Sequence, residues 1–452
     1  MSDNGCCLDQ GDAYLKLDRR LEATLTQFLR QTTKAGVFLG LDQSRRLLAA
    51  VGEPHRAVPM VHVAGTNGKG SVCAYVASAL RQAGYRVGRY TSPHLVSWTE
   101  RICIDDQPIA PQKLLDLLTD LQQTAAHHGL APTQFELVTA AAWLHFAQQK
   151  VDVAVMEVGL GGRLDATNVC DRPLATTITS IGRDHWQRLG PTLADIAREK
   201  AGIFKPGVPA AIAPLPPEAA AVVRNRAAAV DCPLVWVTPS APSPTANSPT
   251  ARFLPPSPEF SPLTYPLALP GAHQYSNSAV AIALLQLLRQ QGWEIPDDAI
   301  QAGMAQVSWP ARLQWMRWRG RPLLVDGAHN AEAALVLRQY LDQTLGERPV
   351  SWVIGMLATK DHPAVLKALL RPGDRACFVP VPDHQSATPT DLKAIARAVC
   401  PQVLVQTAAD GATGLDWAIA HASNIDSDPR QAQPVLCGSL YLIGHLLAQF
   451  AR

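Results

Sequence analysis

Aromatic residues make up only 6% of the 452-residue chain, and neither sign of charge dominates: 40 Lys and Arg face 38 Asp and Glu, for a net +2. That balance removes the electrostatic footprint of a nucleic-acid binder, or of a protein drawn to an anionic membrane. Trp309, Trp315 and Trp318 have no basic patch beside them, so they read as packing groups rather than base-stacking platforms. No apolar run approaches the ~20 residues that span a bilayer. The opening MSDNGCCLDQGD has neither a basic n-region nor an apolar segment, so no secretory signal is expected. Cysteine is sparse and odd in number, nine without zinc-type spacing, and Cys6-Cys7 read as tail thiols. Reduced thiols in a cytoplasmic protein follow, with no membrane and no nucleic-acid partner. No internal repeat of about 20–50 residues occurs.

What is present describes a globular enzyme-sized chain. Its 47% hydrophobic and 17% charged residues can build more than one core, and the length implies two or three domains. Residues 12–50 carry leucines at helical spacing, and 111–128 and 134–149 read as further helices. Near-continuous apolar runs at 60–64, 86–90, 151–158 and 175–181 alternate with helices, the pattern of a parallel α/β sheet. Between 238 and 262 the composition turns to proline, serine and threonine, which predicts a surface loop or flexible insert without a core. A helix is expected over 276–291. The alternation restarts after Trp309-Pro310, with strands near 322–326, 350–355, 375–379 and 434–438. A boundary therefore falls between 1–307 and 308–452.

The sharpest local signal is Val63-Ala64-Gly65-Thr66-Asn67-Gly68-Lys69-Gly70-Ser71-Val72. A strand entering a glycine-rich turn and then a helix N-terminus makes an anion site from backbone N–H groups and the helix dipole. Lys69 can reach β/γ-phosphates and the Ser71 hydroxyl can ligate Mg²⁺. The strict G-x-x-x-x-G-K-[ST] pattern is not met, because Gly70 separates Lys69 from Ser71 and Val63 replaces the first glycine.

Other candidates stand at predicted strand ends, where open α/β sheets bind ligands. Glu157 is a Mg²⁺ ligand beside the phosphates or a cap on the next element. His185 is a metal ligand or a satisfied structural histidine. Lys200, inside Arg198-Glu199-Lys200-Ala201-Gly202, reads by pattern as a solvated helix face. Asp326 can hold a ribose hydroxyl and His329 a phosphate, or Asp326 or Asn330 caps a helix. Arg312 pairs with phosphate as a planar fork, or sits in a surface ion pair.

Taken in order over roughly 35–445, these stretches resemble the folylpolyglutamate synthase/dihydrofolate synthase family of the Mur-ligase superfamily. The stretches are VAGTNGKGSV, TSPHL, MEVGLGGRLDATN, ITSIGRDH and LGPTLADIAREKAGIFKPG. Further on come GAHQYSNSAVA, WPARL, DGAHN, GMLATKD and CGSLYLIG. The family's loop accommodates the extra glycine.

The resemblance implies a P-loop-type parallel-sheet N-terminal domain and a smaller Rossmann-like C-terminal domain closing over ATP. It implies a ligase that phosphorylates a carboxylate and lets L-glutamate attack the acyl phosphate, with dihydropteroate or reduced folates as acceptors. By carry-over, Gly65, Thr66, Asn67, Gly68, Lys69, Gly70 and Ser71 cradle phosphate. Asn277 lies near adenine, and Arg312, Asp326 and His329 contact phosphate and ribose. Ser71 and Glu157 hold one Mg²⁺ and His185 a second. Lys200 matches a carbamylated lysine, and Lys69, Lys200 and His185 form the catalytic set. A monomer is expected. Arg183 stands where an apolar residue is expected, Asp383-His384-Gln385-Ser386 replaces a P-R-A-like turn, and the 238–262 insert has no counterpart. Two other readings stay open: a Mur-type ligase for a different carboxylate, and a nucleotide binder without ligase activity. The AREKAGIFKPG and SPHL stretches favour folate. Retention of Lys69, Glu157, His185 and Lys200 together argues against the second.

Overall fold

The computed structural model describes residues 19–32, 40–243, 249–420 and 432–450. Of the expected 12–50 helix, Arg19–Thr32 and Asp42–Ala50 are helical; 12–18, 33–39 and Cys6-Cys7 lie outside the described residues. The strands are β1 Met60–Ala64, β2 Val87–Tyr90, β3 Ile102–Ile104, β4 Gln107–Pro108, β5 Val153–Glu157, β6 Ala175–Ile178, β7 Ala210–Ile212 and β8 Leu234–Trp236. Then follow β9 Ala241–Ser243, β10 Thr250–Phe253 and β11 Leu263–Pro266. The last group is β12 Gln314–Trp318, β13 Arg321–Val325, β14 Val350–Ile354, β15 Arg375–Phe378, β16 Leu404–Thr407 and β17 Gln433–Cys437.

They form an eight-stranded sheet ordered β4-β3-β2-β5-β1-β6-β7-β8, a three-stranded sheet β11-β10-β9, and a six-stranded sheet β12-β13-β17-β14-β15-β16. From β2 to β8 the large sheet is parallel, while β3 and β4 add antiparallel. The expected α/β architecture is present, with antiparallel β12 at the edge of the second sheet.

Side-chain alternation explains why both faces carry helices. Val61 and Val63 of β1, with Val153 and Val155 of β5, face one core shared with helices Lys69–Gln82 and His273–Gln290. Met60, Ala154 and Met156 face the opposite core, against helices Pro111–His127 and Gln134–Gln148. In the second sheet Leu324, Trp352 and Val435 point to one face, and Val325, Val353 and Leu436 to the other.

The insert corrects the sequence reading. Within 238–262, Ala251 and Phe253 are fully buried and Phe260 nearly so, all in the core around helix His273–Gln290. Its strands pair antiparallel, and Tyr265 in β11 shares a hydroxyl network with Ser240 and Ser278. A few well-spaced apolar side chains suffice to anchor it, whatever the proline and serine between them. Residues 244–248 lie outside the described residues.

One ion pair ties the second sheet together. Arg338 donates to Asp374 at 2.8 Å, and Asp374 also accepts from Trp352 Nε1 and the Val350 and Arg371 backbone N–H groups. Arg338→Met leaves that carboxylate buried without its cation. A loss of about 3 kcal/mol is expected in urea unfolding, whereas a loss below about 1 kcal/mol would mean the three N–H donors carry the charge alone.

Candidate active site

Strand register brings the site together at the carboxyl ends of the parallel strands, as the doubly wound layout requires. Val63 is opposite Glu157 and Ala64 opposite Ile178, so the turn after β1 lies between Glu157 and the segment after β6. That segment scaffolds the loop: Thr66 N–H donates to Ser180 O, Asn67 N–H to Ser180 Oγ, and the Thr179 and Ser180 hydroxyls to Asn67 O. Gly68, at φ 87°, caps helix Lys69–Gln82 in the left-handed region, and a Cβ there would collide with Asn277 Oδ1. Only glycine fits both conditions.

Residues 65–71, Glu157, His185, Lys200, Asn277, Arg312, Asp326 and His329 all line one cavity of about 490 Å³. Every expected site residue therefore reaches the same space. The cavity draws on both large sheets.

Within it, Lys69 Nζ donates to Thr66 O at 3.2 Å and lies 3.9 Å from Glu157 Oε1. Burial pushes the Glu157 carboxyl up, against the pull of Lys69, the Ser92 N–H, Arg312 and Arg89. Gln274, fully buried, donates to Ser71 Oγ at 3.4 Å and accepts from Asn277. Asn277 thus rests against the phosphate loop itself. Asp326 accepts from the Leu313 and Ala328 N–H groups and faces Arg312, whose guanidinium donates to Ala311 O. The cap of helix Ala331–Leu345 is Asn330, accepting from Ala333 N–H, so Asp326 is left to the cavity.

Lys200 overturns the reading from pattern. It is 5% exposed, its Nζ donates to Gly65 O at 2.8 Å, and burial together with nearby Lys69 pushes its amine down to about 7. Lys200 lies on the buried face of its short helix with Ile196 and Ala197, and that face meets the phosphate loop, while Arg198 stays exposed. His185, in contrast, is half exposed, with Nε2 4.0 Å from Asp184 Oδ2.

Sequence reasoning missed Asp184, Glu332, Lys360 and Gln274, and named Asn330 only as the helix cap that it is. Asp184 is the one a local signal could have found, since it precedes His185 in the segment after β6. Burial works to raise its carboxyl, but His329 and Lys360 hold it well below the usual carboxylate range. Arg183, where an apolar residue is expected, is exposed and lies 4.9 Å over the Trp186 ring, so the position needs no core side chain. The altered turn places Asp383 at φ 60°, stacks His384 on Tyr441 at 3.8 Å, and lets Ser386 Oγ accept from Val381 N–H. Trp309 packs beside Arg89 at 4.9 Å, and Trp318 is buried.

The donor set suits a nucleotide with a divalent cation. Ser71 and Glu157 offer hard oxygen atoms, and Glu157 Oε1 has only the ammonium at 3.9 Å. Among the described residues, no group of three His, Cys, Asp or Glu makes a self-sufficient metal cage. A divalent cation held here would complete its shell with phosphate oxygens.

Comparison with known proteins agrees. The Mur ligase middle domain matches residues 63–285, and the dihydrofolate synthetase C-terminal domain matches 312–449. The fold and cavity define an ATP-dependent ligase of the Mur type, an enzyme that forms amide bonds. The chain belongs to the folylpolyglutamate synthase/dihydrofolate synthase family. A Bacillus subtilis dihydrofolate synthase/folylpolyglutamate synthase is 36% identical over 354 residues, 74% of this chain and 80% of the relative. The Mycobacterium tuberculosis folylpolyglutamate synthase complexed with ADP and AMPPCP superimposes with a TM-score of 0.85 at 30% identity, covering 96% of this chain and 99% of that one. A bifunctional folylpolyglutamate synthase/dihydrofolate synthase with Mn, AMPPNP and L-glutamate bound gives 0.78 at 29%, covering 94% and 97%. Among the described residues no helix is long and apolar enough to cross a membrane.

Proposed function

We propose that the chain joins L-glutamate to dihydropteroate, to the γ-carboxylate of reduced folates, or to both, through an acyl phosphate. One observation carries this: the glycine loop, Lys69, Glu157 and Lys200 face Arg312, Asp326 and His329 across a single cavity. A carboxylate is a poor acyl donor, so its oxygen takes the γ-phosphoryl group of ATP, releasing ADP. The glutamate amine then attacks the acyl carbon, and phosphate leaves. The protein's part is positioning and charge neutralisation.

In this reading residues 65–71 cradle the phosphates and Lys69 balances their charge. Asn277 flanks the nucleotide, and Arg312, Asp326 and His329 hold phosphate and ribose from the second unit. Ser71 and Glu157 would hold one Mg²⁺ and His185 a second, each supplying charge neutralisation when bound. Lys200 carries a carbamate: its ammonium loses one proton, and the neutral amine then adds to CO₂ and releases a second, turning a cation into an anion. Its burial and its position beside Lys69 support this. Residues 1–307 and 308–452 act as two domains that close on ATP, in a monomer. The seven described cysteines are free thiols, which suits a reducing cytoplasm.

ADP release tests the assignment. Purified protein receives ATP, Mg²⁺ and L-glutamate, with dihydropteroate in one tube and tetrahydrofolate in another. Release with either acceptor supports the reading and tells which activity is present. Silence in both, from folded protein that binds ATP, moves the assignment to a Mur-type ligase with another carboxylate.

A further inference from the structure

Asp184 sits after β6, beside the phosphate loop, yet almost everything its carboxylate touches comes from the second sheet and its helices. Lys360 Nζ donates to Oδ1 at 2.7 Å, His329 Nε2 lies 3.3 Å from Oδ2, and Asn330 Nδ2 donates to Oδ2 at 3.3 Å. The remaining contacts are local, the His185 N–H on Oδ1 and its Nε2 4.0 Å from Oδ2. Both ends of the Lys360–Asp184 pair are nearly out of solvent, with side chains 9% and 10% exposed.

Shorter-reach contacts surround that pair and share its direction. Asn67 and Asn330 exchange amide hydrogen bonds at 2.9 and 3.3 Å. Glu332 accepts from Arg183 N–H at 3.2 Å and from Asn67 at 3.4 Å, and Gln187 donates to Thr359 O at 3.0 Å. A Cβ on Gly182 would collide with the Glu332 carboxylate, so the two surfaces meet there without slack.

Position separates Lys360 from its neighbours. Asp184, His329 and Glu332 line the cavity; Lys360 does not. Its ammonium is spent on Asp184 behind the cavity wall, so whatever it contributes to the reaction passes through that carboxylate. A desolvated ion pair adds little net affinity, because each charge gives up its water. It does penalise every arrangement that brings one charge in without the other. Such a pair selects one register.

We propose that Lys360 is a positioning residue for ligation: by pairing with Asp184 it sets the register in which His329 and Asp326 close over the phosphate loop. The proposal rests on the reading of two units closing around ATP.

Lys360→Met and Lys360→Arg test it, each first checked for cooperative unfolding and ATP binding. The methionine variant is expected to lose about 10²-fold in kcat, the scale of a misplaced reacting group. Its ATP affinity should weaken, because His329 and Asp326 no longer close on the nucleotide, while its KM for L-glutamate should stay within about threefold of wild type. Arginine should restore most of the rate. Asp184→Asn should lose at least as much as Lys360→Met, because it also weakens the contacts to His329 and Asn330, and the double variant no more than Asp184→Asn alone. X-ray scattering with and without AMPPNP reads the register without chemistry: wild type should compact, and the methionine variant should not. A raised KM for L-glutamate with kcat intact would overturn the proposal, because Lys360 would then bind the amino acid. So would additive losses, or compaction equal to wild type. Failure of the folate reading shows differently: wild type is silent with both acceptors, while the scattering comparison still decides on Lys360.

Discussion

Lys69→Ala should lower ADP release by about 10²–10³-fold, the cost of removing one preorganised charge from a developing anion. Lys69 is the ammonium at the loop, 16% exposed, held by Thr66 O and facing Glu157. Lys200, the other lysine lining the cavity, is pushed toward neutrality and cannot substitute for it. The loss has two sources. Triphosphate charge goes unbalanced, and Glu157, already raised by burial, loses the foremost group that favours its ionised form. ATP affinity should also weaken, because the ground-state phosphates lose the same partner. Lys69→Arg should not restore full activity, since a planar fork does not fit where a compact ammonium sits between a carbonyl and a carboxylate. An alanine variant within threefold of wild type would show that the backbone cradle alone neutralises the phosphates.

Lys200→Ala should cost a similar factor, and its signature is dependence on CO₂. Wild-type protein depleted of bicarbonate should lose activity and regain it when bicarbonate returns, while Lys200→Ala stays low and indifferent to both. The sign with pH follows from the free amine as the reactive form. With its ionisation pushed down to about 7, that form gains as pH rises through 7, so recovery should be faster at pH 8 than at pH 6. Protein labelled with ¹³CO₂ should show one carbamate resonance, absent from the variant. Full activity in bicarbonate-free buffer, with no such resonance, would return Lys200 to the role the structure displays, an ammonium donating to Gly65 O. The two variants then differ in kind. Lys69→Ala removes a cation that no additive replaces, whereas the Lys200 effect is reversible in wild type.

The parts of the site legible in sequence are those in which chemistry and geometry are consecutive. The run from β1 through Gly65–Ser71 into helix Lys69–Gln82 declares strand, turn and helix N-terminus by itself, because glycine placement and apolar runs are local properties. Glu157 and Asp326 were legible for the same reason, each being the acid that ends or follows an apolar strand. Lys200 was legible only by resemblance: a lysine beside Glu199 on a short charged helix looks solvated, and although Ile196 and Ala197 share its buried face, nothing local says that this face meets Gly65. The insert failed in the opposite sense. Its composition spoke for disorder, while Ala251, Phe253 and Tyr265 sit at the spacing of paired strands against a helix.

From the sequence alone came the alternation that makes two wound sheets, the phosphate loop, and the set of residues at strand ends. These depend on short-range sterics and on which side chains avoid water. The tertiary structure decided what those residues face. Asp184 and Lys360 are 176 positions apart, and Asn67 and Asn330 are 263. Their pairing depends on strand register and on the packing of two sheets, so their burial and their charge state are properties of the fold. That is why the Lys200 amine is pushed down to about 7, the Asp184 carboxyl is held below the usual carboxylate range, and one cavity collects groups from both sheets.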